Sequence, residues 1–312
     1  MNGSPTHPRM EQPIMTLDAR PRGQQWLLLA LAGFVLSAVP MLLYTTRVLD
    51  AGVMWPRWVA MLALAWWLPG LLLVALWRLP DLDAPTGGVL ALGLGWCWLV
   101  LGVLIAHWWP GPISLTALIA VYWVGALALS GLVLKRPARP WTPTPRTRWL
   151  WLAALVILAG VLRLPGLGYH EFHYDEVLVL TRAREAIRGE DDAFARHTKG
   201  PGELAAATVI LRTLETADER TTRLPFGLLS VGAVVTVALL GLRLFGERTG
   251  FWSGVLLGAN GFALGLSRIV QYQAAILLLM ALVVLAAWEF ARRGQLRWLA
   301  LALILSGFGT VM

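Results

Sequence analysis

The sequence predicts an all-α, polytopic integral membrane protein with about nine transmembrane helices. Hydrophobic residues make up 57% of the 312 residues and charged residues only 14%, whereas soluble domains carry about 25% charged residues. The hydrophobic residues form long runs, most of them near the ~20 residues needed to cross ~30 Å of hydrocarbon. Many of the 17 Trp residues lie at the ends of these runs, as Trp does at membrane–water interfaces.

The nine predicted spans divide the chain into a tail, two membrane parts and a linker. The spans cover residues 26–45, 57–77, 88–107, 113–134, 149–164, 224–245, 250–267, 273–291 and 298–312. Residues 1–25 form a cytoplasmic tail that we expect to be disordered. Residues 26–134 form an N-terminal four-helix module, and the Pro- and Arg-rich linker 135–148 separates it from a core at 149–312. The run that ends at Met312 lacks a basic flank, which predicts a truncated C-terminus; the alternative is a last helix that ends at the membrane face.

The charge distribution sets the expected orientation. The formal charge is +8, but the basic residues flank the hydrophobic spans, so they indicate topology and not a nucleic-acid partner. Placing the N-terminus in the cytoplasm puts the arginine-rich short loops inside and the loop 165–222 outside, in the cell (plasma or inner) membrane. The single cysteine, Cys97, excludes an intramolecular disulfide.

The loop 165–222 is the part of the sequence with the highest density of reactive side chains. It holds 11 of the 18 acidic residues and three of the five histidines, and at ~58 residues it is too long for a simple connector. Two short amphipathic helices are predicted in it, over 175–188 and about 203–216. Polar groups at the membrane surface suit a lipid-linked substrate whose head group lies there.

Each candidate residue in this loop also has a plain structural interpretation. Asp175 and Glu176 fit a helix N-terminal charge pair as well as a reactive pair, and His197 and Lys199 fit solvated loop positions. The spacing of His170, His173 and Asp175 is metal-like but matches no zinc motif. We therefore expect no essential metal and no cofactor.

Five short motifs, in order along the chain, carry a resemblance to a known family. They are Arg163-Leu-Pro165, Asp175-Glu176, His197-Thr-Lys199-Gly-Pro201, Arg223-Leu-Pro225 and Ser267-Arg268-Ile-Val-Gln271-Tyr-Gln273. With these motifs, the part from 149 onward resembles the GT-C superfamily of membrane glycosyltransferases. It is most similar to the protein O-mannosyltransferase and lipid A aminoarabinose transferase group, in its bacterial dolichyl-phosphate-mannose-protein mannosyltransferase-like branch.

The resemblance implies transfer of a hexosyl- or pentosyl-type sugar from a polyprenyl-phosphate donor to a protein, lipid or glycan acceptor outside the membrane. In that family the aspartate of the first loop is the proposed general base, which carries over to Asp175, with Glu176 beside it. The leaving lipid phosphate needs cations, for which Lys199 and Arg268 are candidates and Arg163 and Arg223 alternatives. The remaining substrate-binding candidates are His197, Gln271, Gln273 and, again, Arg223.

One departure from the family pattern leaves other functions open. Relatives often have a second acid where this chain has Gln271 and Gln273, and an amide binds sugar hydroxyls but cannot act as a base. This difference favours the alternative of a non-catalytic membrane scaffold of the same fold. A transporter is disfavoured, because the one acid clearly within a predicted span is Glu289, near its cytoplasmic end.

Overall fold

The computed structural model describes residues 54–136, 141–190, 192–214 and 218–312. The predicted tail 1–25 and the predicted span 26–45 lie outside these residues. Within them the secondary structure is helical, and no strand is found there beyond one isolated bridge between Asp83 and Thr142. The all-α prediction is therefore confirmed for the described residues.

The helices are numbered in chain order. They are α1 (Met54–Leu62), α2 (Leu68–Trp77), α3 (Ala84–Trp108), α4 (Leu115–Leu134), α5 (Arg146–Arg163), α6 (Tyr174–Arg188), α7 (Pro201–Leu214), α8 (Glu219–Phe245), α9 (Glu247–Ala259), α10 (Gly261–Ser267), α11 (Gln273–Arg293) and α12 (Leu296–Gly309). A π-helical turn, Ala63–Trp67, joins α1 to α2 without interrupting the helix.

Among the described residues, five helices are long and apolar enough to cross a membrane. They are Trp55–Trp77, α3, α4, α8 and α11, with 20 to 27 residues and mean hydropathies of 2.2 to 2.4. Helix α12 is apolar but has 14 residues. The chain is thus a helical protein with several candidate membrane spans, and the count of nine stays a prediction.

The predicted span 250–267 is wrong as a single helix. Helix α9 ends at Ala259, and Asn260 caps the new helix α10 by accepting a hydrogen bond from the Ala263 N–H at 2.9 Å. The fully buried Arg163 donates to the carbonyls of Leu257 and Gly258 at 3.3 and 2.8 Å. These are among the last carbonyls of α9, at the negative end of the helix dipole, and the Leu257 carbonyl also accepts a hydrogen bond from the Asn260 N–H at 3.3 Å.

Small residues bring the first long helices into close contact. A Cβ added at Gly70 would collide with the Ala91 carbonyl of α3, and one added at Gly95 would collide with the Trp66 carbonyl. The indole N–H of Trp66 also donates to the Leu92 carbonyl at 2.8 Å. Close backbone approach through small residues is typical of packing between membrane helices.

Successive long helices alternate in direction, which gives the bundle two ends. The start of α8, the start of α11 and the loop 165–222 meet at one end, here called the loop end. The opposite end, here called the arginine end, holds the ends of α8 and α11 with Arg243 and Arg293, the start of α3 at Asp83 and the start of α5 at Arg148.

The two helices of the loop 165–222 differ in their surroundings. In α6 the buried residues recur at helical spacing, including Glu176, Val179, Leu180 and Ala183, so this helix is amphipathic as predicted. Twelve of the 14 residues of α7 are buried, and α7 packs against α1, α3 and α6. Helix α7 is thus buried around nearly its whole circumference although it carries Glu203 and Arg212, and its predicted amphipathic character stays a prediction.

Candidate functional site

The first turn of α6 is held by a reciprocal cap. The His173 side chain accepts a hydrogen bond from the main-chain N–H of Asp175 at 3.4 Å, and Glu176 Oε2 accepts one from the main-chain N–H of His173 at 2.8 Å. Such caps satisfy N–H groups that have no partner within the helix. Asp175 and Glu176 therefore occupy adjacent positions that point about 100° apart around the helix axis.

Glu176 lies in an enclosed network. Its carboxylate accepts two hydrogen bonds from Arg223, at 2.9 and 2.7 Å, and a further one from the Val270 N–H at 2.8 Å. The side chains of Glu176 and Arg223 are 0% and 2% exposed. Arg223 also donates to main-chain carbonyls of the segment 167–171. This pair therefore fixes α8, the start of α6 and the chain after α10 relative to one another.

Asp175 lies at the surface of the same region and is partly open to solvent. Its Oδ2 accepts a hydrogen bond from Gln271 Nε2 at 2.7 Å and lies 3.1 Å from Lys199 Nζ. Gln273 Nε2 donates to Gln271 Oε1 at 2.7 Å, which holds the Gln271 amide in this orientation. The side chains of Asp175 and Lys199 are 34% and 28% exposed. A carboxylate, an ammonium group and an amide thus meet where a ligand has access.

His197 and Glu203 form a buried pair beside this arrangement. His197 Nε2 lies 2.7 Å from Glu203 Oε1, and both side chains are buried. Glu203 Oε2 accepts a hydrogen bond from the Tyr272 N–H at 2.7 Å. Because Glu203 is in the first turn of α7, this buried helix positions both the segment that carries Lys199 and the start of α11.

Arg268 lies at the edge of the loop end. It donates to the carbonyls of Pro165 and Gly166 at 2.9 and 3.0 Å, and its guanidinium lies 5.0 Å from the centre of the Tyr169 ring. The Tyr169 side chain is exposed. A guanidinium packed on an exposed aromatic ring is a suitable surface for a phosphate or a sugar ring.

The two neighbouring carboxylates differ in electrostatic environment. The hydrogen bond from Lys199, followed by that from Gln271, lowers the pKa of Asp175 below its usual value. For Glu176, burial alone would raise the pKa, but the hydrogen bonds from Arg223, His173 and Val270 outweigh it and keep the pKa below its usual value. Both side chains are therefore ionised at neutral pH, and only Asp175 is accessible.

The eight predicted site residues converge on the segment 268–273, directly or through one intermediate residue. Arg268, Gln271 and Gln273 belong to the segment, and the other five are Asp175, Glu176, His197, Lys199 and Arg223. Their roles stay predictions. Glu203 is not among the predicted site residues, yet in the structure it links His197 to the main-chain N–H of Tyr272. Its position in a helical first turn was the available signal.

The remaining candidates have simpler surroundings. Arg163 donates to Ser230 Oγ at 2.8 Å and to carbonyls of α9, so it is enclosed in the helix bundle. His170 Nδ1 lies 3.1 Å from the Glu171 carbonyl oxygen. Within the described ranges, no group of three or more His, Cys, Asp or Glu side chains is arranged to hold a metal ion. The expectation that activity needs no metal stays a prediction.

Comparison of the chain with protein-family models, with curated proteins and with solved structures finds no match.

Proposed function

We propose that this protein is a membrane glycosyltransferase of GT-C type. It moves a sugar from a polyprenyl-phosphate donor to an acceptor hydroxyl at the loop end, which faces the outside of the cell membrane. The single observation that carries the proposal is the accessible Asp175 carboxylate paired with Lys199 and Gln271 at the end of a bundle of membrane-length helices. The donor's lipid tail requires the membrane, and its head group lies at the depth of these helix ends.

The arrangement supplies the groups that glycosyl transfer needs. The acceptor oxygen forms a bond to the anomeric carbon as the bond from that carbon to the phosphate oxygen breaks. The acceptor proton passes to Asp175, and the polyprenyl phosphate leaves with the bonding electron pair and its negative charge. Lys199, which has three donors, stabilises that charge, and the Gln271 and Gln273 amides bind sugar hydroxyls.

The Lys199 contact also sets when Asp175 is an effective base. Without donor, the ammonium group lowers the pKa of Asp175, so the carboxylate is ionised but only weakly basic. A general base works best with a pKa near the operating pH. When the donor phosphate arrives, Lys199 turns towards it and away from Asp175. The basicity of Asp175 then rises in the complex that reacts.

Glu176 has a positioning role in this proposal. Its carboxylate is fully enclosed and its hydrogen bonds are taken by Arg223, His173 and Val270, so an acceptor hydroxyl does not reach it. Through Val270 it places Gln271 beside Asp175. Arg223 is likewise committed to Glu176 and to main-chain carbonyls, which leaves Lys199 and Arg268 as the cations for the phosphate.

The test is Asp175→Asn, which keeps the shape of the side chain and cannot accept the proton. Transfer of labelled sugar from a polyprenyl-phosphate donor, in membranes that contain the full chain, should fall by about 10²- to 10⁴-fold. Asp192→Asn is the matched control, since Asp192 is an exposed carboxylate of the same loop that pairs with Arg196, and it should retain activity. Equal transfer by the two variants at equal expression would contradict the role of Asp175.

A further inference from the structure

A polar cavity lies at the arginine end of the bundle. It has a volume of about 330 Å³ and is lined by four arginines, three carboxylates, one leucine and one tryptophan. Helix α11 runs from Gln273 in the candidate site to this cavity, and its 21 residues at 1.5 Å each span roughly 30 Å. The cavity is therefore about one hydrocarbon thickness from Asp175 and belongs to a separate site.

The carboxylates of the cavity are already bound by arginines. Glu289 is fully buried and pairs with Arg243, with Arg292 at 2.9 Å and with Arg293 at 2.5 Å. Asp83 pairs with Arg243 at 3.2 Å. It also caps α3 by accepting a hydrogen bond from the Thr86 N–H at 2.9 Å. Four arginines against three carboxylates leave the lining with a formal charge of +1.

Several hydrogen-bond donors of the lining have no acceptor. The buried Nε atoms of Arg148 and Arg243 and the buried indole Nε1 of Trp288 find none within the described part of the chain. The nearest carboxylates to the Arg148 head group are Glu247 at 3.4 Å and Asp83 at 3.9 Å, which are long contacts. Glu289 Oε1 is the one buried acceptor of the lining without a hydrogen bond among the described residues, and it is in ion contact with Arg243. Buried donors are nearly always satisfied in proteins, so the three donors indicate a ligand that offers acceptors and negative charge.

We propose that this cavity binds the phosphate group of an anionic phospholipid. The positive ends of α3 and α5 border it, because Asp83 caps α3 and Arg148 is in the first turn of α5. The negative ends of α8 and α11 lie there too, and each carries arginine in its last turn. Leu242 and Trp288 give it an apolar wall, which suits a lipid better than a free phosphate ion. Lipid phosphates also lie where membrane helices end, and Trp favours that depth.

The experiment measures thermal unfolding of the purified full chain in a neutral detergent with added lipid. A ligand that binds the folded state raises Tm, so phosphatidylglycerol should raise it and phosphatidylcholine should not. Arg148→Gln should require about tenfold more phosphatidylglycerol for the same rise, the value of one charge-assisted hydrogen bond. Trp288→Phe keeps the ring but loses the N–H donor, and should require roughly threefold more.

Arg248→Gln is the matched control, since Arg248 is an exposed arginine of α9 at the same end and does not line the cavity. It should respond to phosphatidylglycerol like the unmodified protein. An equal response of all four proteins would overturn the site. An equal response to phosphatidylcholine would overturn its anion preference, and the same rise with inorganic phosphate alone would overturn the lipid as the source.

Discussion

The loop end and the arginine end each enclose a glutamate, but they satisfy its charge in different ways. The Glu176 carboxylate pairs with one arginine, which is buried with it, and accepts hydrogen bonds from two main-chain N–H groups. Glu289 forms ion pairs with three arginines, of which Arg292 is 51% exposed. Both oxygens of the Glu176 carboxylate are hydrogen-bonded within the protein, whereas at the arginine end the buried Nε donors of Arg148 and Arg243 have no acceptor within the described residues.

This difference shows what each glutamate does. Glu176 joins segments that are far apart in sequence, since its partners belong to residues 173, 223 and 270. Its hydrogen bond with the Val270 N–H places the neighbouring Gln271 beside Asp175. Glu289 pairs with two arginines of its own helix, so it holds fewer distant segments together and leaves donors free for a ligand. The Asp175–Lys199 pair is more open than either, with both side chains about one-third exposed.

The largest effect should come from Glu176→Ala. Removing this carboxylate leaves the Arg223 guanidinium buried without a counter-charge and two main-chain N–H groups without an acceptor. Breaking a buried pair in this way costs about 3–5 kcal/mol. We expect that loss in the free energy of unfolding, measured by titrating the protein with denaturing detergent in mixed micelles.

Two further variants make this result specific. Asp192→Ala removes an exposed carboxylate of the same loop and should change the free energy by less than about 0.5 kcal/mol. The double variant Glu176→Leu/Arg223→Met removes both charges and should recover part of the lost stability. A loss no larger than that of Asp192→Ala would show that the Glu176 network does not hold the loop end together.

A smaller loss is expected from Glu289→Gln. The amide keeps an acceptor for the arginines but removes the charge, and Arg243 and Arg293 retain Asp83 and Asp81 as partners. The same titration should show a loss of about 1–3 kcal/mol. Glu247→Gln, at an exposed acid of the same end, is the control with little effect. If Glu289→Gln cost more than Glu176→Ala, the ranking of the two ends would be reversed.

Sequence reasoning located the helices of the loop end well because their ends carry local signals. The helix predicted over 175–188 is observed as Tyr174–Arg188, and the one predicted from about 203 begins at Pro201. Gly189, with φ of 88°, ends α6 in the left-handed conformation that glycine adopts readily. Asn260-Gly261 was a comparable signal for the break in the span 250–267, and it was missed.

Local sequence signals of this kind do not predict the long-range contacts of the site. The contact of Glu203 with the Tyr272 N–H joins residues 69 positions apart, and no periodicity in the sequence reports it. The same holds for Glu176, whose partner Arg223 is 47 positions away. The burial of α7 had a weak local signal, because residues 204–211 contain no charged side chain and so offer no polar face.

The smallest effect on stability should come from Lys199→Met, at the most open of the three pairs. Both partners are about one-third exposed, so solvent screens the contact and its loss should cost less than about 1 kcal/mol. Because the folded-state pKa of Asp175 is lowered, this stabilisation is present above the unfolded pKa of about 4 and is lost as the pH falls through the lower folded value. The variant should therefore differ from the unmodified protein above about pH 4 and converge with it in stronger acid.

The same variant separates the two roles of Lys199 in transfer. Without the ammonium group the pKa of Asp175 rises towards its usual value, so the acid limb of the pH profile of kcat/KM should move to higher pH, since the base must be ionised. The plateau should also fall, because the leaving phosphate loses its cation. Lys199→Arg keeps the charge and should restore the position of the acid limb. A lower plateau with an unmoved acid limb would mean that Lys199 acts on the phosphate alone and does not tune Asp175.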